Sequence, residues 1–271
     1  MFVSTSKLGF GCADLLSRVD RKPALRFLEH ALDQGISHFD VGRSYGDGRA
    51  EWVLGELVAR RRRQMTIVTK AGIEPPTLRA RILRRVGRAG AADQAADFRP
   101  YRLRRSVEAS LKALHTDHID ALLLHECRPH DVTGDVVSLM EALRWEGKIG
   151  AVGLATSYDY AAELMRRFAG FFDIVQTPYE GCADAKDSGV TRVIHSVFKA
   201  HATAPGSAIL RGFSRGDIVL FSSCSFDHIE QNARLAGLRS AQLGFELGRR
   251  CESGPAPGAL EGPWAPAARP Q

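Results

Sequence analysis

Four ionisable side chains stand where they could do chemistry together. Asp40 and Tyr45 lie five residues apart in FDVGRSYGDGRAEWVLGEL, Lys70 ends the apolar run MTIVTK, and His125 ends ALLLH. A free phenol titrates near a pKa of about 10 and is a reluctant proton donor or acceptor at neutral pH. A nearby ammonium stabilises the phenolate and lowers that value. A carboxylate beside the lysine keeps it charged and fixes its position against the cost of burial. A neutral imidazole can hydrogen-bond a substrate oxygen and share in acid–base work. Together the four fit a general acid that hands a proton to a carbonyl oxygen. Taken singly, each has a plainer reading: Asp40 as a loop-capping carboxylate, Tyr45 as a packing residue, His125 as a satisfied core histidine. Lys70 resists such a reading most, because an ammonium directly behind an apolar strand needs a partner.

The elements that must position these residues follow from hydrophobic periodicity. Leu8 to Gly11 reads as a short strand, and Ala24 to Asp33 as a helix with Leu25, Leu28, Ala31 and Leu32 on one face. ISHFDV is the next strand, RAEWVLGELVARRRR a helix with Val53, Leu54, Leu57 and Val58 inward, and MTIVTK a β-branched strand. An irregular Arg/Ala/Gly-rich insertion runs from about 75 to 100. Beyond it, YRLRRSVEASLKALHTD is a helix, HIDALLLHE a strand, GDVVSLMEALRWEGK a helix, IGAVGLAT a strand, YAAELMRRFAG a helix and FDIVQTPY a strand. The last third is thinner. EGCADAKDSG takes the place of a helix with little apolar periodicity, VTRVIHSVF reads as the seventh strand, GSAILRGFSRG as a short helix and DIVLFSS as the eighth strand. SFDHIEQNARLAGL is a final helix with Ser225 or Asp227 as its cap. Such alternation implies parallel strands with right-handed crossovers. Eight units imply an α/β fold of the closed (β/α)8 TIM barrel type over 1–250, with shortened elements around strands 6 to 8. In that architecture Asp40, Tyr45, Lys70 and His125 converge on the rim at the carboxyl ends of the strands. The Pro/Ala/Gly-rich tail, 251–271, reads as disordered.

Composition narrows the function classes. The chain has 271 residues, enough for one large core. No run approaches the ~18 apolar residues of a membrane span, and the N-terminus lacks the pattern of a secretory signal, so the expected location is cytoplasmic and no membrane partner is expected. Cys12, Cys127, Cys182, Cys224 and Cys251 are scattered singly, without metal-ligand or disulfide spacing, and read as reduced thiols. The formal charge of +6 comes largely from arginine clusters, Arg60 to Arg63 and Arg79, Arg81, Arg84, Arg85 and Arg88. They lack interleaved aromatics and read as solvated surface, so no nucleic-acid partner is expected.

In family order, the segments FDVGRSYGDGRAEWVLGEL, IVTKAG, SLKALHTDHIDALLLHE, LRWEGKIGAVGLAT, VQTPYE and HIEQN closely resemble the aldo-keto reductase family over roughly residues 5 to 240. Each motif alone is weak, and the ordered set is specific. The resemblance implies an NADPH- or NADH-dependent oxidoreductase that passes hydride to the carbonyl carbon of a small aldehyde or ketone. It makes Tyr45 the proton donor, Lys70 and Asp40 the partners that set its pKa, and His125 the orienting residue. It also places the nicotinamide carboxamide against Thr156 and Gln176, with His195 at the position of the aromatic that stacks on the ring. Ser196 and Lys199 fall where the pyrophosphate would lie, Ser222 and Ser223 near a 2′-phosphate, and Gln231 and Asn232 near adenine. The chain departs from the family pattern at Ala155 and Thr156, which replace a Ser-Asn pair. It departs again at Ser222 and His228, where NADPH-preferring members carry Lys or Arg; Arg234 is a candidate replacement, and NADPH is expected ahead of NADH. Ala155, His195 and the shortened last third motivate an alternative, a cofactor-binding regulatory or scaffold protein of the same fold with little turnover.

Overall fold

A computed structural model of the chain describes residues 5–77, 96–180, 189–200 and 205–238. Eight parallel strands close into one barrel in sequence order: β1 (Leu8–Gly11), β2 (His38–Asp40), β3 (Thr66–Ala71), β4 (Ile119–His125), β5 (Ile149–Ala155), β6 (Ile174–Pro178), β7 (Thr191–His195) and β8 (Ile218–Phe221). The expected (β/α)8 barrel is therefore the observed fold. Its seam closes where Leu8, Gly9 and Phe10 pair with Val219, Leu220 and Phe221. Among the described residues, the helices are α1 (Leu15–Arg18), α2 (Arg21–Asp33), α3 (Ala50–Arg61), α4 (Pro100–Ala113), α5 (Gly134–Trp145), α6 (Tyr158–Arg167), α7 (Val197–Ala200), α8 (Pro205–Arg215) and α9 (Phe226–Leu235).

Strand alternation sorts the core into two parts. Every second residue faces the lumen, where Val68, Ala121, Leu123, Ala155, Ile174, Val193, Ile218 and Leu220 form one apolar plug. The intervening residues face outward and meet the buried stripes of the helices, for example Val53, Leu54, Leu57 and Val58 of α3 and Leu103 and Val107 of α4. The plug is tight enough to dictate glycine at position 9. A Cβ there would lie 2.6 Å from both the His38 ring and a Leu220 methyl.

Several boundaries differ from the periodicity reading, each for a local reason. Strand β7 stops at His195 because Ser196 takes a left-handed conformation, φ 61°, and Val197–Ala200 then turns into α7. The short α1 was not anticipated; one turn is too brief to show a helical period. Helix α9 is capped by Ser225, whose hydroxyl accepts from the His228 N–H, while Asp227 sits in the first turn. On α2 the buried stripe runs through Ala24, Phe27, Leu28, Ala31 and Leu32, leaving Leu25 partly covered at its edge. The middle of the 75–100 insertion, most of EGCADAKDSG and the 251–271 tail lie outside the described residues. The ends of the insertion are pinned: Ile73 bridges Ala96, and Gly72, at φ 113°, passes beneath the Phe98 ring, where a Cβ would meet it at 2.2 Å.

Glycine in a helix interior costs ~1 kcal/mol relative to alanine, yet at Gly55 of α3 the sign reverses. A Cβ there would lie 2.2 Å from the Ala113 carbonyl oxygen, at the end of α4. Gly55→Ala is expected to lower stability by about 1–3 kcal/mol through overpacking, read as a lower midpoint in denaturant unfolding. Gly134→Ala, at an open position with nothing within 4 Å of the added carbon, is expected to leave the midpoint unchanged or raise it.

Candidate active site

Asp40 and Lys70 are lumen-facing residues of neighbouring strands. Asp40 pairs in register with Val68, so Lys70 lies one lumen position further toward the carboxyl end. Its ammonium donates to Asp40 Oδ1 at 2.6 Å, Oδ2 at 2.7 Å and the Val41 carbonyl at 3.0 Å. The Asp40 carboxylate, the Val41 carbonyl and the Tyr45 hydroxyl, which is also hydrogen-bonded to Lys70, satisfy the ammonium, which is how a side chain 1% exposed stays charged. Burial pushes the Lys70 pKa down, but the negative charge of Asp40 and the neighbouring Tyr45 outweigh it, and the net direction is up. For Asp40 burial dominates and pushes the carboxyl up, opposed by Lys70 and by a hydrogen bond from the Gln176 amide.

Tyr45 reaches the same place from the loop after β2. The loop turns sharply, with Gly46 at φ 57° and Asp47 at φ 56°, and Gly46 packs onto Leu16 of α1. The Lys70 ammonium lies 4.8 Å from the centre of the Tyr45 ring, and the His125 ring meets that ring edge-on at 5.7 Å. Burial raises the phenol pKa, and the Lys70 charge offsets only part of the rise. The ammonium alone would have lowered it, so burial decides the direction. His125 is pushed down to about 3, first by burial, then by the Lys70 charge and by His195. The site therefore holds a protonated phenol, a charged lysine and a neutral imidazole over the physiological pH range.

These groups line one cavity of about 360 Å³ at the carboxyl ends of the strands. Strand alternation explains which expected contacts join them. Gln176 of β6 and His195 at the end of β7 both reach the lining, together with Ser196 and Ser222. Ala155 is in the lining, whereas Thr156, one residue further and of opposite parity, turns its hydroxyl to the Cys127 carbonyl at 2.9 Å. Ser223 is buried and accepts from the Ser225 N–H at 3.1 Å, holding the turn before α9. His228 and Gln231 are exposed on α9, Asn232 of the same helix is buried, and none of the three lines the cavity. The Lys199 side chain lies outside the described residues. Arg234 is paired with Glu230 at 3.7 Å on the outer face of α9.

Three charged residues absent from the sequence reading also line the cavity: Asp14, just before α1, and Arg18, at its end, paired at 3.9 Å, and Glu126. Glu126 follows His125 in a left-handed conformation, φ 52°, and burial raises its pKa. Its position beside His125 was the available signal; for Asp14 and Arg18 there was none.

In the cavity lining, two buried polar atoms have no hydrogen-bond partner, His125 Nδ1 and Gln176 Oε1. A buried acceptor left empty costs about 1–3 kcal/mol. Gln176, with its amide nitrogen on Asp40, keeps its carbonyl oxygen available for an N–H donor, which is what the carboxamide of a nicotinamide offers. The lining thus fits a nicotinamide cofactor on its own chemistry. Among the described residues no group of His, Cys, Asp and Glu could hold a metal, and no helix is long and apolar enough to cross a membrane.

Comparison with known proteins agrees with this geometry. Residues 7–218 match the model of the aldo/keto reductase family. Among curated proteins, an aldo-keto reductase of Bacillus subtilis is 27% identical over 185 residues, 65% of this chain and 51% of its own length. The 6-dehydroglucose reductase of Agrobacterium fabrum is 32% identical over 55% of this chain and 50% of its length. The NADH-specific methylglyoxal reductase of Escherichia coli is 28% identical over 59% and 49%. The matched part of this chain spans about half the length of such relatives. In fold, the holo form of an aldo-keto reductase from Bacillus halodurans superposes with a TM-score of 0.72 at 19% identity, covering 92% of each chain. The glycerol dehydrogenase of Gluconobacter oxydans gives 0.68 at 15% identity, covering 96% of this chain and 97% of that one. With a family model spanning the barrel from the start of β1 to the first residue of β8, this chain belongs to the aldo-keto reductase family.

Proposed function

We propose that this oxidoreductase reduces a small aldehyde or ketone to the alcohol, with Tyr45 as the proton donor. The observation that carries the reading is the protonated Tyr45 phenol, in one cavity with a lysine held charged by a buried carboxylate and with a neutral imidazole. When bound, the reduced nicotinamide cofactor supplies the hydride. The residues do the rest. Gln176, His195, Ser196 and Ser222 line the part of the cavity that would hold the cofactor. His125, neutral, hydrogen-bonds the substrate oxygen and orients it toward the phenol. Tyr45 gives its proton to that oxygen, and the adjacent Lys70 ammonium stabilises the phenolate left behind. Asp40 keeps Lys70 charged and in place throughout. NADPH is the preferred cofactor in this proposal, and NADH, which the Escherichia coli relative uses by name, is the alternative. The substrate is a small-molecule carbonyl compound.

A second reading rests on Ala155 and Thr156, which leave the β5 side of the cavity without a hydroxyl. In that reading the chain binds cofactor and turns over little.

Purified protein mixed with NADPH or NADH and a panel of aldehydes and ketones separates the two. Tyr45→Phe is expected to lower kcat by ~100-fold or more while leaving cofactor binding, followed by fluorescence, within about twofold. Binding with no turnover above the Tyr45→Phe rate would favour the second reading.

The pH dependence follows from the directions of the shifts. His125 stays neutral down to about 3, and burial holds the Tyr45 proton above the ordinary phenol range. The rate of reduction is therefore expected to be flat between about pH 5 and 8 and to fall only on the alkaline side, as the donor proton is lost. An acid limb near 6.5 would contradict a neutral His125.

Ser222→Arg is expected to strengthen NADPH binding by roughly tenfold, through a charge-assisted bond to the 2′-phosphate, with no comparable gain for NADH. An equal gain for both would place the phosphate elsewhere.

A further inference from the structure

A second buried charged cluster lies just outside the barrel wall, behind the proposed proton donor. Glu51 is fully buried at the second position of α3. A carboxylate there ordinarily serves the free N–H groups of its own helix. Here the two oxygens go elsewhere: Oε1 accepts from the Thr69 hydroxyl at 2.7 Å and Oε2 from Arg43 Nη1 at 2.9 Å. The Arg43 side chain is itself only 11% exposed, and its second arm reaches Glu74 at 3.3 Å.

The partners are informative. Thr69 is the residue before Lys70 on β3, with its side chain directed out of the barrel while that of Lys70 is directed in. Arg43 lies two residues before Tyr45, in a loop that also packs against α1 through Gly46. One carboxylate thus grips the strand that carries the lysine and the loop that carries the phenol, each within two residues of the group itself. Glu74 and Pro75, just past the carboxyl end of β3, complete the grip, with Pro75 so close to Gly48 that a Cβ on that glycine would sit 2.7 Å from it.

We infer that Glu51 and Arg43 are positioning residues that set the placement of Tyr45 over Lys70. A buried carboxylate bonded to both sides resists the small displacement that separates a phenol in reach of a bound carbonyl oxygen from one that is out of reach. Displacements of ~1 Å from a distant change cost up to ~100-fold in rate. The inference rests on the reading of Tyr45 as proton donor.

The test is a double-mutant cycle, with methylglyoxal and 4-nitrobenzaldehyde as probe substrates and NADPH as the reductant. Glu51→Gln keeps the shape but turns an N–H toward one of its two donors. It is expected to lower kcat between roughly tenfold and a hundredfold, with KM and NADPH affinity within about twofold of wild type. In a Tyr45→Phe background the same substitution is expected to cost less than about twofold, because the group it positions has gone. Arg43→Lys, which keeps a charge for Glu51, is expected to retain more kcat than Arg43→Met, and this pair decides the matter if Glu51→Gln does not fold. Equal fractional losses in the two backgrounds, a loss that tracks NADPH affinity or thermal stability, or equal rates for the two Arg43 variants would overturn the positioning role. Wild-type turnover by Tyr45→Phe alone would instead overturn the proton-donor reading on which it stands.

Discussion

The Lys70–Asp40 ion pair is the constraint around which the carboxyl end of the barrel is arranged. Moving an ammonium and a carboxylate out of water costs several kcal/mol for each ion, and attraction alone does not repay that unless the hydrogen bonds are complete. Here they are: the Asp40 carboxylate, the Val41 carbonyl and the Tyr45 hydroxyl each take an ammonium hydrogen bond. The pair requires adjacent strands, lumen-facing parity on both, and a one-step offset in register, so it is a test that only the correct β2–β3 pairing passes. Its charge then spreads to the neighbours. The Lys70 charge helps to lower the His125 pKa and offsets part of the rise at Tyr45. A neutral residue at 70 would change the titration of every group around it.

Strand alternation allows two jobs to be done on one segment without interference. On β3, Lys70 points into the cavity while Thr69 points to Glu51 in the surrounding layer of helices. Chemistry is confined to the lumen side and alignment to the outer side. The two are joined by the stiffness of a strand whose six residues are all buried. The loop after β2 lacks that stiffness, which makes its fastening to the outer layer a matter of side chains.

Much of this is legible in the sequence. Apolar runs that end abruptly in Asp, Lys or His mark the carboxyl ends of strands, and the alternation with helical stripes fixes their order, so the barrel and the grouping of Asp40, Tyr45, Lys70 and His125 could be read along the chain. Less legible was the direction in which a residue points once its strand has ended. Ala155 and Thr156 are neighbours on opposite faces, and the backbone reverses hand at Glu126 and Ser196, so a motif match could not say which side chains enter the cavity. The contribution of Asp14 and Arg18 was hidden because a single helical turn leaves no periodic trace. The direction of the Tyr45 shift was hidden for another reason: it is a contest between burial and a nearby charge, and burial is a property of the assembled fold.

The bridge between Ile73 and Ala96 has a consequence for how this barrel could diversify. The chain leaves β3 and rejoins the fold at nearly one point, with Gly72 locked under Phe98 beside it. Whatever lies between is closed at its base, so its length enters the folding free energy only through a slowly growing loop-closure term. A change in chain length between those two points leaves the register of β3 with β4 untouched, so long as Glu74 and Pro75, which hold the Tyr45 loop, are kept.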